Sequence, residues 1–112
     1  MTGTFHEPPA DADAAGCGWP VSVEIPTEPS WRSGFHLVTL IAHDAPEGRE
    51  RAHACFVVRA GEQRHRSVLV MATNTWHAYN TWGGQSLYTG GDQVSYSRPF
   101  ARGMLERANG RE

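Results

Sequence analysis

Alternating apolar and polar residues predict three strands in the first half of the chain. Residues 19–25 carry valine and isoleucine on one side and serine and glutamate on the other, as in a half-buried strand. Residues 35–42 are largely apolar on both faces, which predicts a central strand. Residues 52–59 predict a third strand, and the polar Pro/Gly segment 44–48 favours an antiparallel hairpin between the last two.

The second half of the chain has a different pattern. Residues 68–71, Val-Leu-Val-Met, form a continuous apolar run, which is typical of a buried strand in a parallel sheet. The predicted fold is therefore mixed and mainly β, with antiparallel β-sandwich-type strands followed by the first βα unit of a Rossmann-like domain. The predicted boundaries are an irregular lead-in (1–18), a β-sandwich portion (19–60), a linker (61–66) and a truncated start of an α/β domain (67–112).

A buried parallel strand requires neighbouring strands and helices that cover both faces of the sheet. Nothing after residue 72 supplies a second βα unit. We therefore expect either a fragment of a longer protein or a chain that completes its sheet by self-association.

Composition and charge narrow the classes of partner. The formal net charge is −2 over 112 residues, which gives no reason to expect a nucleic-acid partner. The N-terminus lacks the features of a signal peptide, and no apolar run approaches the roughly 20 residues that span a bilayer. We expect a cytoplasmic protein without a membrane partner. Cys17 and Cys55 allow at most one disulfide, and the absence of a CxxC motif favours two unpaired thiols.

Candidate chemistry is concentrated in residues 72–88, which we interpret as a loop that leaves the predicted strand 68–71. This aromatic segment contains two tryptophans, two tyrosines, two asparagines, a histidine and a Gly-Gly pair. Asparagine amides donate and accept hydrogen bonds, tyrosine phenols ionise beside a cation, and Gly83-Gly84 allows a ligand to approach the backbone closely. The alternative is an aromatic loop that packs on its own sheet.

Other catalytic motifs are absent or incomplete. His53 and Cys55 lie two residues apart on a predicted strand and share a face, but no second pair with ligand spacing completes a zinc site. The sequence contains no GxSxG nucleophile motif and no glycine-rich phosphate loop, so neither a serine hydrolase nor a nucleotide cofactor is indicated.

Four segments together resemble the large subunit of N,N-dimethylformamidase and its relatives. They are Trp31–Phe35, Ala54–Arg59, Val68–Tyr79 and Ser95–Phe100. The resemblance implies a β-sandwich that leads into an α/β domain similar to class I glutamine amidotransferases. It also implies a mononuclear iron, held by two tyrosines and a glutamate, that serves in the hydrolysis of small formamides.

The resemblance makes Tyr79 the candidate iron ligand of this chain. Where relatives can have tyrosine in the preceding aromatic position, this chain has Trp76, which has no oxygen ligand. The second tyrosine and the glutamate are expected beyond Glu112, and the Gly-rich spacing gives no reason for Tyr88 to converge on Tyr79.

Two hypotheses follow from the sequence. In the first, the chain is a truncated amidohydrolase that is inactive in isolation, with Tyr79 on iron and Asn74, His77 and Asn80 as catalytic residues around a small amide substrate. In the second, the chain is a non-catalytic β-rich module. Its aromatic platform for carbohydrate or another ligand comprises Trp76, Trp82 and Tyr88.

Overall fold

The structure is a computed structural model that describes residues 5–47, 51–61 and 66–106. Within these ranges the chain is mainly β, with strand β1 (Gly34–Ile41), strand β2 (Arg51–Val58) and one short helix, α1 (Thr73–Tyr79). The predicted hairpin is confirmed, because β1 and β2 pair antiparallel from Gly34 opposite Val58 to Ile41 opposite Arg51. No helix of the described ranges has the length and apolarity needed to cross a membrane.

Aromatic rings cover both faces of the hairpin near the start of β1. His36 lies opposite Phe56 in the ladder, and the two rings stack with centroids 5.3 Å apart. Trp31 packs on the same pair, 5.8 Å from Phe56. On the other face, Phe35 meets Trp76 of α1 edge to face at 5.8 Å. The hairpin therefore joins the helix through one aromatic contact.

Two predicted strands do not form, so these predictions were wrong. Residues 19–25 and 68–71 pair with no strand in the described ranges. Val68, Leu69 and Val70 are 88%, 73% and 85% exposed rather than buried. A strand needs a neighbouring strand that pairs with its backbone hydrogen-bonding groups. An apolar pattern indicates only that a segment is able to form a strand.

The first part of the aromatic segment is helical, which corrects the prediction of a loop. Helix α1 has no side-chain hydrogen bond at its N-cap, Ala72, and its C-cap is Asn80. Its opening residues Thr-Asn-Thr have low helix propensity, so tertiary contacts of Trp76 and His77 must supply much of its stability.

The described part of the lead-in, residues 5–18, has no regular helix or strand but contains a hydrogen-bonded turn. The amide N–H groups of Ala12, Ala15 and Gly16 donate to carbonyl groups three or four residues earlier, which closes a turn over residues 9–16. Ala12 is completely buried in this turn. Most of the other described residues of the lead-in are exposed or half-buried.

Some of the predicted segments lie partly outside the described residues. These positions are 1–4 of the lead-in, 48–50 of the hairpin loop, 62–65 of the linker and 107–112 of the C-terminal segment.

The best-buried residues lie away from the hairpin, and most of them are polar. Besides Ala12, the buried side chains include His77, Asn80, Ser86 and Arg98. They lie where helix α1, the segment 80–101 and the N-terminal turn meet, as their hydrogen bonds show. The interior of this region is built on hydrogen bonds rather than on an apolar core.

Candidate functional site

Helix α1 presents the predicted site residues on two different sides. With about 100° of rotation per residue, Asn74 and His77 share a face, whereas Tyr79 lies roughly 200° from His77. Asn80 follows directly after the helix. The structure accordingly brings Asn74 and His77 to one segment of the chain and Tyr79 to another.

Asn74 and His77 both contact Tyr96. The Tyr96 hydroxyl donates to Asn74 Oδ1 at 2.9 Å, and the His77 ring lies 4.1 Å from the Tyr96 ring and 4.8 Å from Phe100. His77 is buried, and its Nδ1 has no hydrogen-bond partner in the described ranges. Burial lowers the pKa of His77, and the positive charge of Arg98 lowers it further. The imidazole is therefore neutral at neutral pH.

Asn80 is completely buried, and both ends of its amide are engaged. Its Nδ2 donates to the Pro99 carbonyl at 2.8 Å. Its Oδ1 accepts from the backbone N–H groups of Trp82 and Ala101, at 3.1 and 2.9 Å. These bonds tie the end of α1 to the segment after Arg98. Asn80 thus holds the local fold, and no face of its side chain is open to a substrate.

Arg98 donates hydrogen bonds to four backbone carbonyl groups of the segment 80–95. Its Nη2 donates to the Asn80 carbonyl at 2.9 Å, and its Nη1 donates to Trp82 at 2.5 Å and more weakly to Gln85 at 3.4 Å. Its Nε donates to the Ser95 carbonyl at 3.3 Å. We call Asn80, Ser86 and Arg98 the polar hub. Arg98 escaped the sequence analysis because no local pattern marks a buried arginine.

Asp13 of the N-terminal turn occupies the space beside the Gly-Gly pair. Its Oδ2 accepts the backbone N–H of Gln85 at 2.5 Å, and this hydrogen bond lowers the pKa of Asp13. A Cβ at Gly84, where φ is +149°, would lie 2.4 Å from that oxygen, and a Cβ at Gly83 would lie 3.0 Å from Ala12. The N-terminal turn of the chain itself, rather than a ligand, therefore makes the close approach that these glycines allow.

Tyr79 stacks on Tyr88, with ring centroids 4.0 Å apart and an interplanar angle of 9°. The Leu87 N–H donates to the Ala78 carbonyl at 3.0 Å, and Ser86 anchors the turn that carries Tyr88. The expectation that Tyr88 has no reason to converge on Tyr79 was therefore wrong. The two side chains are 52% and 65% exposed, so this tyrosine pair is open to solvent. The Tyr88 phenol, through a hydrogen bond and its charge, raises the pKa of Tyr79.

The three rings of the predicted aromatic platform have three different partners. Trp76 packs on Phe35, Tyr88 packs on Tyr79, and Trp82 meets Trp19 at 5.6 Å. They consequently do not form one continuous surface in the described part of the chain.

The described histidines and cysteines do not assemble a metal centre. Among the described residues, no three His, Cys, Asp or Glu side chains lie close enough to hold an ion. His53 lies 3.2 Å from the Thr39 hydroxyl and 3.6 Å from the Glu106 carboxylate. Cys17 and Cys55 are both free, and burial raises the pKa of each thiol.

Comparison with known families confirms the resemblance inferred from the sequence. The family described as "N,N-dimethylformamidase beta subunit-like, C-terminal" matches residues 2–111. The chain belongs to this family. Comparison with curated proteins and with solved structures finds no match.

Proposed function

We propose that the chain supplies part of the iron-binding wall of an amidohydrolase related to N,N-dimethylformamidase, with Tyr79 as an iron ligand. One observation carries the proposal: the exposed phenol of Tyr79 stacks on a second phenol, Tyr88, within the segment that carries the family motif. Tyr88 offers a second phenol oxygen on a ring that contacts Tyr79.

The chemistry of the tyrosine pair suits the binding of a trivalent or divalent cation. The Tyr88 phenol disfavours ionisation of Tyr79, whose pKa is raised by a hydrogen bond with Tyr88 and by the charge of Tyr88. A cation between or beside the oxygens reverses this balance, because it stabilises the phenolate form. Metal binding at this pair should accordingly release protons and strengthen as the pH rises.

The surrounding residues would fix the geometry of the pair. Bonds from Arg98 and Asn80 hold the segment that leads from α1 to Tyr88, and Ser86 holds the turn that carries its ring. When bound, iron would polarise an amide carbonyl or lower the pKa of a bound water. The proposed iron wall does not include Asn74 and His77, because both lie on the other side of α1 from Tyr79 and contact Tyr96.

We further propose that the isolated chain does not hydrolyse amides. A catalytic metal site ordinarily needs about three protein ligands, and the tyrosine pair supplies two. The β-sandwich and the Rossmann-like domain implied by the resemblance are part of the same proposal. The hairpin supports it, because each of its two strands pairs on one side only in the described ranges.

Titration with ferric iron tests the proposal without relying on activity. A tyrosinate bound to iron(III) gives a visible charge-transfer band, so the purified chain should develop colour with iron and release protons as it does so. Tyr79→Phe should abolish the band and Tyr88→Phe should weaken it. Tyr96→Phe is the matched control, because that phenol bonds to Asn74 on the other side of the helix.

Two results would contradict the proposal. The first is the absence of any band that depends on Tyr79. The second is an equal loss of colour in the Tyr96→Phe control, which would indicate nonspecific binding. Turnover of a small formamide by the iron-loaded isolated chain would overturn the statement that it is inactive.

A further inference from the structure

A second candidate site lies between the beginning of β2 and the segment 99–106. Here a cavity of about 430 Å³ separates the two parts of the chain. This volume lies within the roughly 300–1,000 Å³ typical of small-molecule sites. Tyr79 and Tyr88 do not line the cavity, so it is separate from the proposed iron site.

One wall of this cavity is aromatic. Trp19 and Trp82 both line it and meet edge to face, with ring centroids 5.6 Å apart and an interplanar angle of 87°. Phe100 adds a third, half-buried ring. Two perpendicular indoles form a corner, in which a flat ring can stack on one indole and contact the edge of the other.

The remaining wall carries two arginines whose charges are not neutralised within the described chain. The guanidinium groups of Arg51 and Arg102 make no hydrogen bond or ion pair with any residue in the ranges 5–47, 51–61 and 66–106. The acidic residue that lines the cavity, Glu106, has its carboxylate 3.6 Å from His53. Among the described residues, the cavity therefore offers two guanidinium groups without a partner and one carboxylate, which lies beside His53.

We propose that this cavity binds a small aromatic carboxylate. The ring of such a ligand would lie in the Trp19–Trp82 corner, and its carboxylate would accept hydrogen bonds from Arg51 and Arg102. Guanidinium groups suit this role because their planar N–H donors match the two oxygens of a carboxylate. An aromatic ligand is favoured over an aliphatic one because a flat ring gains both stacking and edge contacts in the corner. The proposal goes beyond the amidohydrolase function and does not depend on it.

Titration of the full chain with benzoate tests this assignment. The fluorescence of Trp19 and Trp82 should change on binding, and calorimetry should give the dissociation constant. Benzyl alcohol, which keeps the ring but lacks the charge, should bind at least about tenfold more weakly, as expected for the loss of a charge-assisted hydrogen bond. Added salt should weaken the binding of benzoate but not that of benzyl alcohol.

Arginine variants localise the site. The double variant Arg51→Gln/Arg102→Gln should bind benzoate about tenfold or more weakly. Both side chains are exposed and have no partner among the described residues, so this variant should keep the wild-type thermal unfolding midpoint. Arg59→Gln is the control, since Arg59 does not line this cavity, and it should bind benzoate as the wild type does.

Three results would overturn the proposal. They are benzoate binding no tighter than benzyl alcohol, unchanged affinity in the folded double variant, and an equal loss in the Arg59→Gln control. None of these results bears on the iron titration, which concerns a different pair of residues. Failure here is therefore distinguishable from failure of the proposed function.

Discussion

The hairpin and the polar hub are organised by opposite means. The hairpin has a regular backbone ladder of eight paired positions but leaves large apolar side chains such as Leu40 and Ile41 more than half exposed. The polar hub has no ladder, yet Asn80, Ser86 and Arg98 are among the best-buried residues of the described chain. Regular secondary structure and burial are therefore separated in this molecule.

This difference shows where the functional segment obtains its rigidity. The tyrosine pair lies on α1 and on the turn at Ser86, and both are held by side-chain bonds to backbone carbonyl and N–H groups. Such bonds fix irregular backbone in one conformation, and each buried group left without a partner carries a cost. The hairpin contributes little to that site except the contact between Phe35 and Trp76.

The sharpest way to break the comparison is to remove the Arg98 side chain. Arg98→Ala deletes donors to the carbonyls of Asn80, Trp82, Gln85 and Ser95. Each carbonyl left buried without a partner costs on the order of 1–3 kcal/mol, so we expect a loss of at least about 3 kcal/mol in the free energy of unfolding. Denaturant titration followed by circular dichroism measures it.

Arg59→Ala is the matched control for this prediction, because Arg59 is exposed beyond the end of β2. We expect its effect to stay within about 0.5 kcal/mol. If the two alanine variants unfold at the same denaturant concentration, the polar hub is not the source of stability in this region.

The contact between Asp13 and Gly84 allows a finer test of how the lead-in is attached. Gly84→Ala places a methyl group against the Asp13 carboxylate at a φ of +149°, which side chains rarely adopt. We expect a loss of about 1–3 kcal/mol from the backbone strain alone, with the steric clash added. A double-mutant cycle with Asp13→Ala separates the two effects, because removing the carboxylate relieves the clash but not the strain.

Strictly additive losses in that cycle would show that the side chains at positions 13 and 84 do not interact. A positive coupling energy would show that the N-terminal turn packs directly on the Gly-Gly pair.

The hairpin could be predicted from the sequence, whereas the polar hub could not. Period-two alternation around a turn specifies β1 and β2 locally, so a single sequence is sufficient. Three of the four bonds of Arg98 reach 13 to 18 residues back to backbone carbonyls, and the Asp13 bond spans 72 residues. Almost every residue type carries the same backbone carbonyl and N–H groups, so a sequence pattern does not indicate which of them a side chain will bond.

The site was partly predictable for the same reason. The residue types of the aromatic segment, together with the family motif, pointed to Tyr79, but the stacking of Tyr88 depends on the turn at Ser86. The apolar run at 68–71 was misread because its composition fits a buried strand, and only a neighbouring strand could make it one.

A pH titration sharpens the comparison by testing burial at one residue of α1. The ordinary pKa of histidine is 6.5, and burial lowers the pKa of His77 in the folded state. His77 therefore contributes stability above the unfolded pKa, and this contribution is lost as the pH falls toward the folded pKa. In His77→Phe, which keeps a ring against Tyr96 and Phe100, that loss should disappear. The advantage of the wild type over the variant should therefore shrink from about pH 8 to about pH 5.

Denaturant midpoints across the pH range measure this difference, and the other histidines cancel because both proteins contain them. His43→Asn serves as the control for an exposed histidine. A difference between wild type and His77→Phe that stays constant with pH would mean that His77 is solvated in solution.

The smallest effect on the free energy of unfolding is expected from a substitution in the hairpin, which completes the comparison with the polar hub. Leu40 of β1 is 55% exposed and lies opposite Ala52, so Leu40→Thr removes few packed contacts. Threonine is β-branched and favours a strand, and we expect a change of less than about 0.5 kcal/mol in the free energy of unfolding. The same denaturant titration measures it. A loss comparable with that of Arg98→Ala would mean that the exposed face of the hairpin is covered in solution. In that case the hairpin would combine regular structure with burial, and its difference from the polar hub would hold only for the described residues.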